Sequence, residues 1–313
     1  MNYCEKKYFL NYYTFALKHV DQKLRETWII TKKLKTLDMW VWEKTHYLIS
    51  DYLNLVKDHD DTEENIAKIK EGLAEEMRYE FDASKEKNYE ELNFWEWGGL
   101  SEHYYWENID DKLEETIEKV CHNLDQFISS EWINVIKENI DSDNIVYIEN
   151  PKNPNYDAMR LFTRNVPELR NISIMASPDF WITYWNWKYL ILDWKTGKEP
   201  EDTDFPDQIK TYALKVILKK NRSLELWDLE IEWYEVYIPS LDKLGWVIKQ
   251  ENIEAIVDKI ISDTELQKKF LVNGDSFRNQ PLPSSEFART DDMEKCKSCV
   301  LRKVCEELKN YEN

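Results

Sequence analysis

Three cysteines crowd into one short run near the end of the chain, Cys296-x2-Cys299-x5-Cys305, and another, Cys4, stands at the opposite end. No other feature constrains the fold as strongly. Tetrahedral sulfur sites hold zinc or an iron–sulfur cluster and take four ligands, so three closely spaced thiols need a fourth from elsewhere. Spacing alone does not separate zinc from a cluster. Context argues against disulfides. Lys6 and Lys7 are not followed by an apolar stretch with a small-residue cleavage site, so no secretory signal is expected. No run of 18 apolar residues exists, so no membrane span is expected. The expected compartment is the cytoplasm, where clustered cysteines bind metal more often than they pair. The fifth cysteine, Cys121, lies in a helical apolar pattern and reads as a core residue, and His122 beside it as a surface one.

The 313 residues suggest one large domain or two ordinary ones, and a hydrophobic content of 42% is enough for a sizeable core. Only six glycines are present and no G-x-x-x-x-G-K-[ST] string occurs, which argues against a P-loop ATPase. The net charge of −19 is unusual for a chain that would bind phosphates, but it is unevenly spread. Residues 1–50 carry nine Lys/Arg against five Asp/Glu, whereas 51–140 carry nine against 25. Most of the acidity therefore sits in one segment, read as a solvated helical face.

Residues 1–57 follow helical period from Tyr8 to Leu55, and 62–140 continue it, as in Ile66, Ile69, Leu73 and Met77. Phe94–Gly99 is an expected turn. The character changes near residue 144. Asn144–Glu149, Asn171–Tyr184, Tyr189–Trp194, Leu229–Ile238 and Gly245–Lys249 read as strands, with a hairpin turn at Asn186. Phe205–Lys219 and Ile253–Val272 read as helices. The expected organisation is a helical segment over 1–57, an acidic helical insertion over 58–143, an α/β core over 144–272, and a cysteine-bearing tail over 273–313.

Within that core, Ser177-Pro178-Asp179 is followed, after 13 residues, by Asp193-Trp194-Lys195. Residues two apart on a strand share a face, so Asp193 and Lys195 project together, and an antiparallel neighbour would bring Asp179 beside them. Carboxylates gathered in this way are costly without a cation. Mg²⁺ suits them: it takes oxygen ligands and keeps waters for substrate phosphates. Such a metal polarises a phosphoryl oxygen and activates water. A lone D-x-K is common by chance, and by itself it fits a strand leaving for the turn at Thr196-Gly197.

The string Ile191-Leu192-Asp193-Trp194-Lys195-Thr196-Gly197-Lys198, preceded by Pro178-Asp179, resembles the core of the RecB-like PD-(D/E)XK nucleases. That family carries a Gln-x-x-x-Tyr pair on the following helix, matched here by Gln208 and Tyr212, which helical spacing puts on one face. It also places a metal-binding His on an early helix, for which His46 is the best match, without the glycine that often precedes it. The cysteines resemble those of the iron-staple branch, which includes AddB-type nucleases and the nuclease of CRISPR spacer acquisition: one distant N-terminal Cys and a C-terminal C-x2-C-x5-C around the nuclease core. The resemblance runs in order from end to end of the chain but fails over 51–140. It implies a restriction-endonuclease-like fold, a mixed sheet flanked by helices with a cluster-bound C-terminus. It also implies a 4Fe–4S cluster on Cys4, Cys296, Cys299 and Cys305, closing a loop of nearly the whole chain. Mg²⁺ or Mn²⁺ would lie on His46, Asp179, Asp193 and the Trp194 carbonyl. Lys195 would position or activate water, and Gln208 and Tyr212 would orient the substrate. The expected reaction is phosphodiester hydrolysis in DNA, on single strands or at ends.

Two rival readings stand beside it. One is a catalytically silent DNA-end-binding or scaffold subunit, in which a helicase or integrase partner supplies positive charge. The other is a zinc-binding regulatory protein in which D-x-K is accidental. Trp181, Trp185, Trp187 and Trp194 crowd the hairpin, and Phe94, Trp95, Trp97, Tyr104, Tyr105 and Trp106 the middle helices. Alternation allows at most half of the hairpin tryptophans to meet a nucleic acid, and such residues are more often core.

Overall fold

A computed structural model describes residues 4–13, 22–88, 98–140, 142, 144–151, 166–170, 172, 174–184, 188–197, 206–238, 240–274 and 280–309. The expected hairpin turn at Asn186, with Trp185 and Trp187, lies outside these residues, as do Phe94–Trp97 and Phe205. The chain divides into two compact units, each assembled from separated stretches. One comprises Met1–Trp40, Glu75–Glu115 and Glu265–Asn313, and the other Val41–Ala74 and Thr116–Thr264.

The helices of the first half are α1 (Glu5–Tyr12), α2 (Gln22–Lys33), α3 (Leu37–Lys57), α4 (Glu63–Lys85), α5 (Ser101–Tyr104), α6 (Leu113–Ser129) and α7 (Glu131–Ile140). The helical front is therefore segmented. Leu34–Thr36 interrupts it because Lys35 leaves the helix to bridge Leu100, with Lys35 N–H bonded to the Gly99 carbonyl and Ser101 N–H to the Lys35 carbonyl.

The second unit is built on a mixed sheet: β1 (Ile145–Ile148), β2 (Phe180–Thr183), β3 (Lys188–Lys195), β4 (Glu230–Tyr237) and β5 (Asp242–Val247), in that spatial order. β1, β2 and β3 form an antiparallel meander, β3 and β4 are parallel, and β5 returns antiparallel. A parallel pair needs a crossover, which α8 (Asp207–Asn221) supplies between β3 and β4. α9 (Gln250–Lys268) follows β5.

Tyr189–Trp194 of β3 are all buried, as befits a central strand covered on both faces. On one face Tyr189, Ile191, Ile231 and Trp233 pack with Ile209, Ala213 and Ile217 of α8 and Ile253 and Val257 of α9. On the other, the Trp194 ring meets Phe127 of α6 at 4.8 Å, and Tyr234 meets Trp132 of α7 at the same distance. Gly245 pairs with Tyr234, whose ring occupies the space a Cβ would take.

The strand expected over Asn171–Tyr184 is confined to Phe180–Thr183. Pro178 has no N–H to give to a ladder, and Ile174 and Ala176 instead bury their side chains in the core beneath α8. The last long helix ends at Lys268 rather than Val272, because Leu271 bridges Pro281.

In the first unit, α10 (Met293–Lys297) is followed by α11 (Arg302–Leu308), and α1 packs with α11. Phe9, Leu10, Tyr13 and Leu24 share a core with Leu271, Phe287, Leu301, Val304 and Leu308. Lys6 N–H donates to the Ala288 carbonyl at 2.9 Å, and Ala288 N–H to Glu5 Oε2 at 2.9 Å. Apolar burial and hydrogen bonds thus hold the two ends of the chain side by side. Among the described residues, no helix is long and apolar enough to cross a membrane.

Candidate metal centre and cysteine cavity

Strand register lines up four carboxylates across the sheet of the second unit. Ile148 pairs with Phe180, so Glu149 lies opposite Asp179. Phe180 pairs with Leu192, so Asp179 lies opposite Asp193, and Asp193 pairs with Glu235. Cross-strand neighbours share a face, and the face is the one α8 covers. Asp179 sits just before β2 with its ends tied: its carbonyl accepts from Glu149 N–H at 2.9 Å, and its Oδ2 from Trp194 N–H at 2.7 Å. Upstream, Lys215 of α8 donates to the Ala176 carbonyl at 2.5 Å, pinning the segment that leads into Asp179.

Two cationic groups answer this row. Lys195 Nζ pairs with Asp193, lies 3.7 Å from Glu235 Oε1, and donates to Gln208 Oε1 at 3.0 Å. Gln208 Nε2 donates in turn to the Tyr212 hydroxyl at 2.7 Å, and the Tyr212 ring stacks on Trp233 at 5.0 Å. Gln208 and Tyr212 thus carry a hydrogen-bonded chain from α8 to Lys195. His46 Nδ1 lies 3.3 Å from Asp179 Oδ1. α3 delivers it there: Asn123 Nδ2 of α6 donates to Thr45 Oγ1 at 3.1 Å, and Ser50 Oγ donates to the Glu149 carbonyl at 2.8 Å. His46, Glu149, Asp179, Asp193, Lys195, Gln208 and Tyr212 all line one cavity of about 400 Å³, together with Trp42, Met175 and Trp194.

Burial and crowding set the electrostatics. Burial, then the Asp179 charge, pushes the Asp193 carboxyl up to about 7, against the pull of Lys195. Glu149 is raised by burial and further by Asp179, against the pull of His46. Burial disfavours the His46 imidazolium, but Asp179, with Asp193 and Glu149, outweighs it and raises His46 above its usual range. For Lys195, burial is likewise overcome by Asp193, with Glu235 and Asp179, which together hold the ammonium charged. Tyr212 is raised by burial and by Asp193, so its hydroxyl stays protonated.

The carboxylates fit a hard divalent cation, which takes oxygen ligands, and His46 would add one imidazole nitrogen. His46 Nε2 is buried and has no hydrogen-bond partner, as a nitrogen kept for a ligand would be. The carboxylate oxygens are partly engaged by Lys195, His46 and Trp194 N–H. Among the described residues, no three His, Cys, Asp or Glu side chains are already spaced to enclose a metal. Glu149 and Glu235 are absent from the sequence-derived set. Glu235 stands on β4 beside the D-x-K strand and Glu149 just past the end of β1, two strands away, and only the register reveals them.

The cysteines occupy the first unit. Cys4 precedes α1, Cys296 lies on α10 and Cys305 on α11, and all four, with Cys299, line one cavity of about 810 Å³. The Asp292 side chain caps α10 by accepting from Glu294 N–H at 3.1 Å and Lys295 N–H at 3.2 Å. Burial, then Cys4 and Cys299, raises the Cys296 thiol. Burial raises Cys305 against the pull of Arg289. The same cavity is lined by Lys7, Arg289, Lys295, Lys297, Arg302 and Lys309, with Glu107 and Glu306. That excess of cations complements thiolate ligands in an otherwise acidic chain.

Cys121 is half-buried on α6 rather than in the core, and His122 is exposed. Trp194 is 3% exposed and Trp181 is stacked on Tyr147 at 4.5 Å, so both serve packing. The chain matches no family model, no curated protein and no solved structure.

Proposed function

We propose that the protein is a metal-dependent deoxyribonuclease with a restriction-endonuclease-like core, acting on single strands or DNA ends, and that Cys4, Cys296, Cys299 and Cys305 hold a structural 4Fe–4S cluster. The observation that carries the reading is the carboxylate row Glu149–Asp179–Asp193 meeting Lys195 and His46 in one cavity. Buried like charges of this kind cost stability, and a fold retains them where a cation and a phosphate are to be met. Asp179, Asp193 and His46 would hold Mg²⁺ or Mn²⁺, with Glu149 beside them and the Trp194 carbonyl within the same wall. The bound cation would supply Lewis-acid polarisation of the phosphoryl oxygen and a more acidic water. Lys195 steadies the attacking water and the negative charge on the phosphoryl oxygens. Gln208 fixes the Lys195 ammonium through its Oε1, and Tyr212 fixes Gln208. Water oxygen bonds to phosphorus, the bond to one ester oxygen breaks, and that oxygen leaves with a proton.

The cluster reading rests on four thiols and a cationic lining in one cavity. Its role would be structural, because the cysteines would tie the start of α1 to α10 and α11 next to the hydrogen bonds that join α1 to Ala288.

The test is cleavage of labelled single- and double-stranded DNA with Mg²⁺ or Mn²⁺ by anaerobically purified protein, beside Asp193→Ala and Lys195→Ala. The expected result is metal-dependent cutting, absent in Asp193→Ala and lowered about a hundredfold or more in Lys195→Ala, with DNA binding retained. Full activity in either variant overturns the assignment. A folded protein that binds DNA ends but cuts nothing is instead a silent subunit, a role the net charge of −19 favours because a helicase or integrase partner would then supply the positive surface. A colourless protein carrying zinc overturns the cluster.

A further inference from the structure

The cavity with the carboxylate row has an apolar lip that the hydrolytic chemistry does not use. Trp42 is 49% exposed and Met175 60%, and both line this cavity. Exposed apolar residues scattered singly need no explanation. Two large ones at the mouth of a charged cavity do, because each forfeits burial that packing elsewhere provides. Trp42 is also held in place: it lies one turn before His46 on α3, and the two rings are 4.4 Å apart, tilted by 42°. Its distance from the carboxylates is therefore set by the helix.

A nucleotide presents matching chemistry, a flat apolar base joined to an anionic phosphate. We propose that Trp42, flanked by Met175, stacks the base next to the phosphate addressed by the carboxylates and Lys195, and so makes the site selective for unpaired strands. This rests on the nuclease reading above. In a duplex both faces of a base are already covered by its neighbours, so engaging Trp42 requires unstacking at a cost of a few kcal/mol. A single strand bears little of that cost. Stacking on an aromatic side chain is tolerant of base identity, so the selectivity is for strandedness rather than for sequence.

The test uses short labelled single strands, intact or carrying one abasic nucleotide at successive positions. Binding is measured with Mg²⁺ in a Lys195→Met background, in which cleavage is slowed, and over times short enough that the strands stay intact. The expected result is that one abasic position weakens binding roughly 5- to 150-fold, the loss of a single stacked base. Trp42→Ala weakens binding of the intact strand by the same factor and erases the abasic effect, while Trp42→Phe keeps most of it. Because the abasic substrate leaves the protein untouched, disturbance of His46 by the substitution cannot mimic this pattern. Equal binding of intact and abasic strands at every position, or an abasic effect that survives Trp42→Ala, overturns the proposal even if wild-type protein cuts DNA. The abasic pattern in a protein that never cuts sinks the nuclease reading and leaves the stacking site standing.

Discussion

Replacing Asp193 by Asn should make the stability of the metal-free protein, relative to wild type, rise with pH. Asp193 is 3% exposed, beside Asp179 and Glu235 in the strand register, with Lys195 and His46 as the nearby cations. Its carboxyl sits at about 7, against roughly 3.9 for an unfolded Asp. A folded pKa above the unfolded one means that the native state binds the extra proton. The group is harmless below about pH 4, and stability is lost as pH rises from there through 7. Three units at about 1.4 kcal/mol each make this on the order of 4 kcal/mol between pH 4 and pH 8. Asn keeps the shape and cannot ionise, so the stability of the variant relative to wild type should rise by about that much over the same window. Urea unfolding in EDTA, followed by tryptophan fluorescence at several pH values, measures the difference. A flat difference, or one growing towards acid, would refute the account of a buried carboxylate strained by its neighbours. Adding Mg²⁺ should stabilise wild type and leave Asp193→Asn unmoved.

Gly245→Val should destabilise the sheet by about 1–3 kcal/mol, because its side chain must displace the Tyr234 ring that packs on Trp132; a Tm within a degree of wild type would show that the ring moves freely. Cys305→Ser in anaerobically purified protein should remove the brown chromophore and lower the Tm, while DNA cleavage at low temperature persists. Loss of cleavage in a protein of unchanged Tm would give the cysteine cavity a part in the reaction instead.

The parts of the site that lie close together along the chain are the parts visible in the sequence. Asp193 and Lys195 share a face because of strand period, and Gln208 and Tyr212 share one because of helical period; the structure connects these two local pairs through one hydrogen bond, from Lys195 to Gln208. Asp179 was within reach of the same logic, since one antiparallel neighbour suffices to bring it opposite Asp193. Glu149 and Glu235 were not, because their membership depends on the alignment of β1 with β2 and of β3 with β4. A one-residue slip in either pairing would turn those carboxylates to the other face, and nothing in the local sequence of either strand excludes the slip. The strand boundaries show the same division. Apolar and β-branched content over 171–178 has the look of a strand, but the ladder is decided by backbone donors, and Pro178 lacks one. Trp42 marks the deepest limit. Pattern alone gives an aromatic one turn from a histidine on an amphipathic helix, where burial is the ordinary fate; its exposure at the mouth of the cavity follows only from where α3 lies against the ends of β1 and β2, and no local signal carries that.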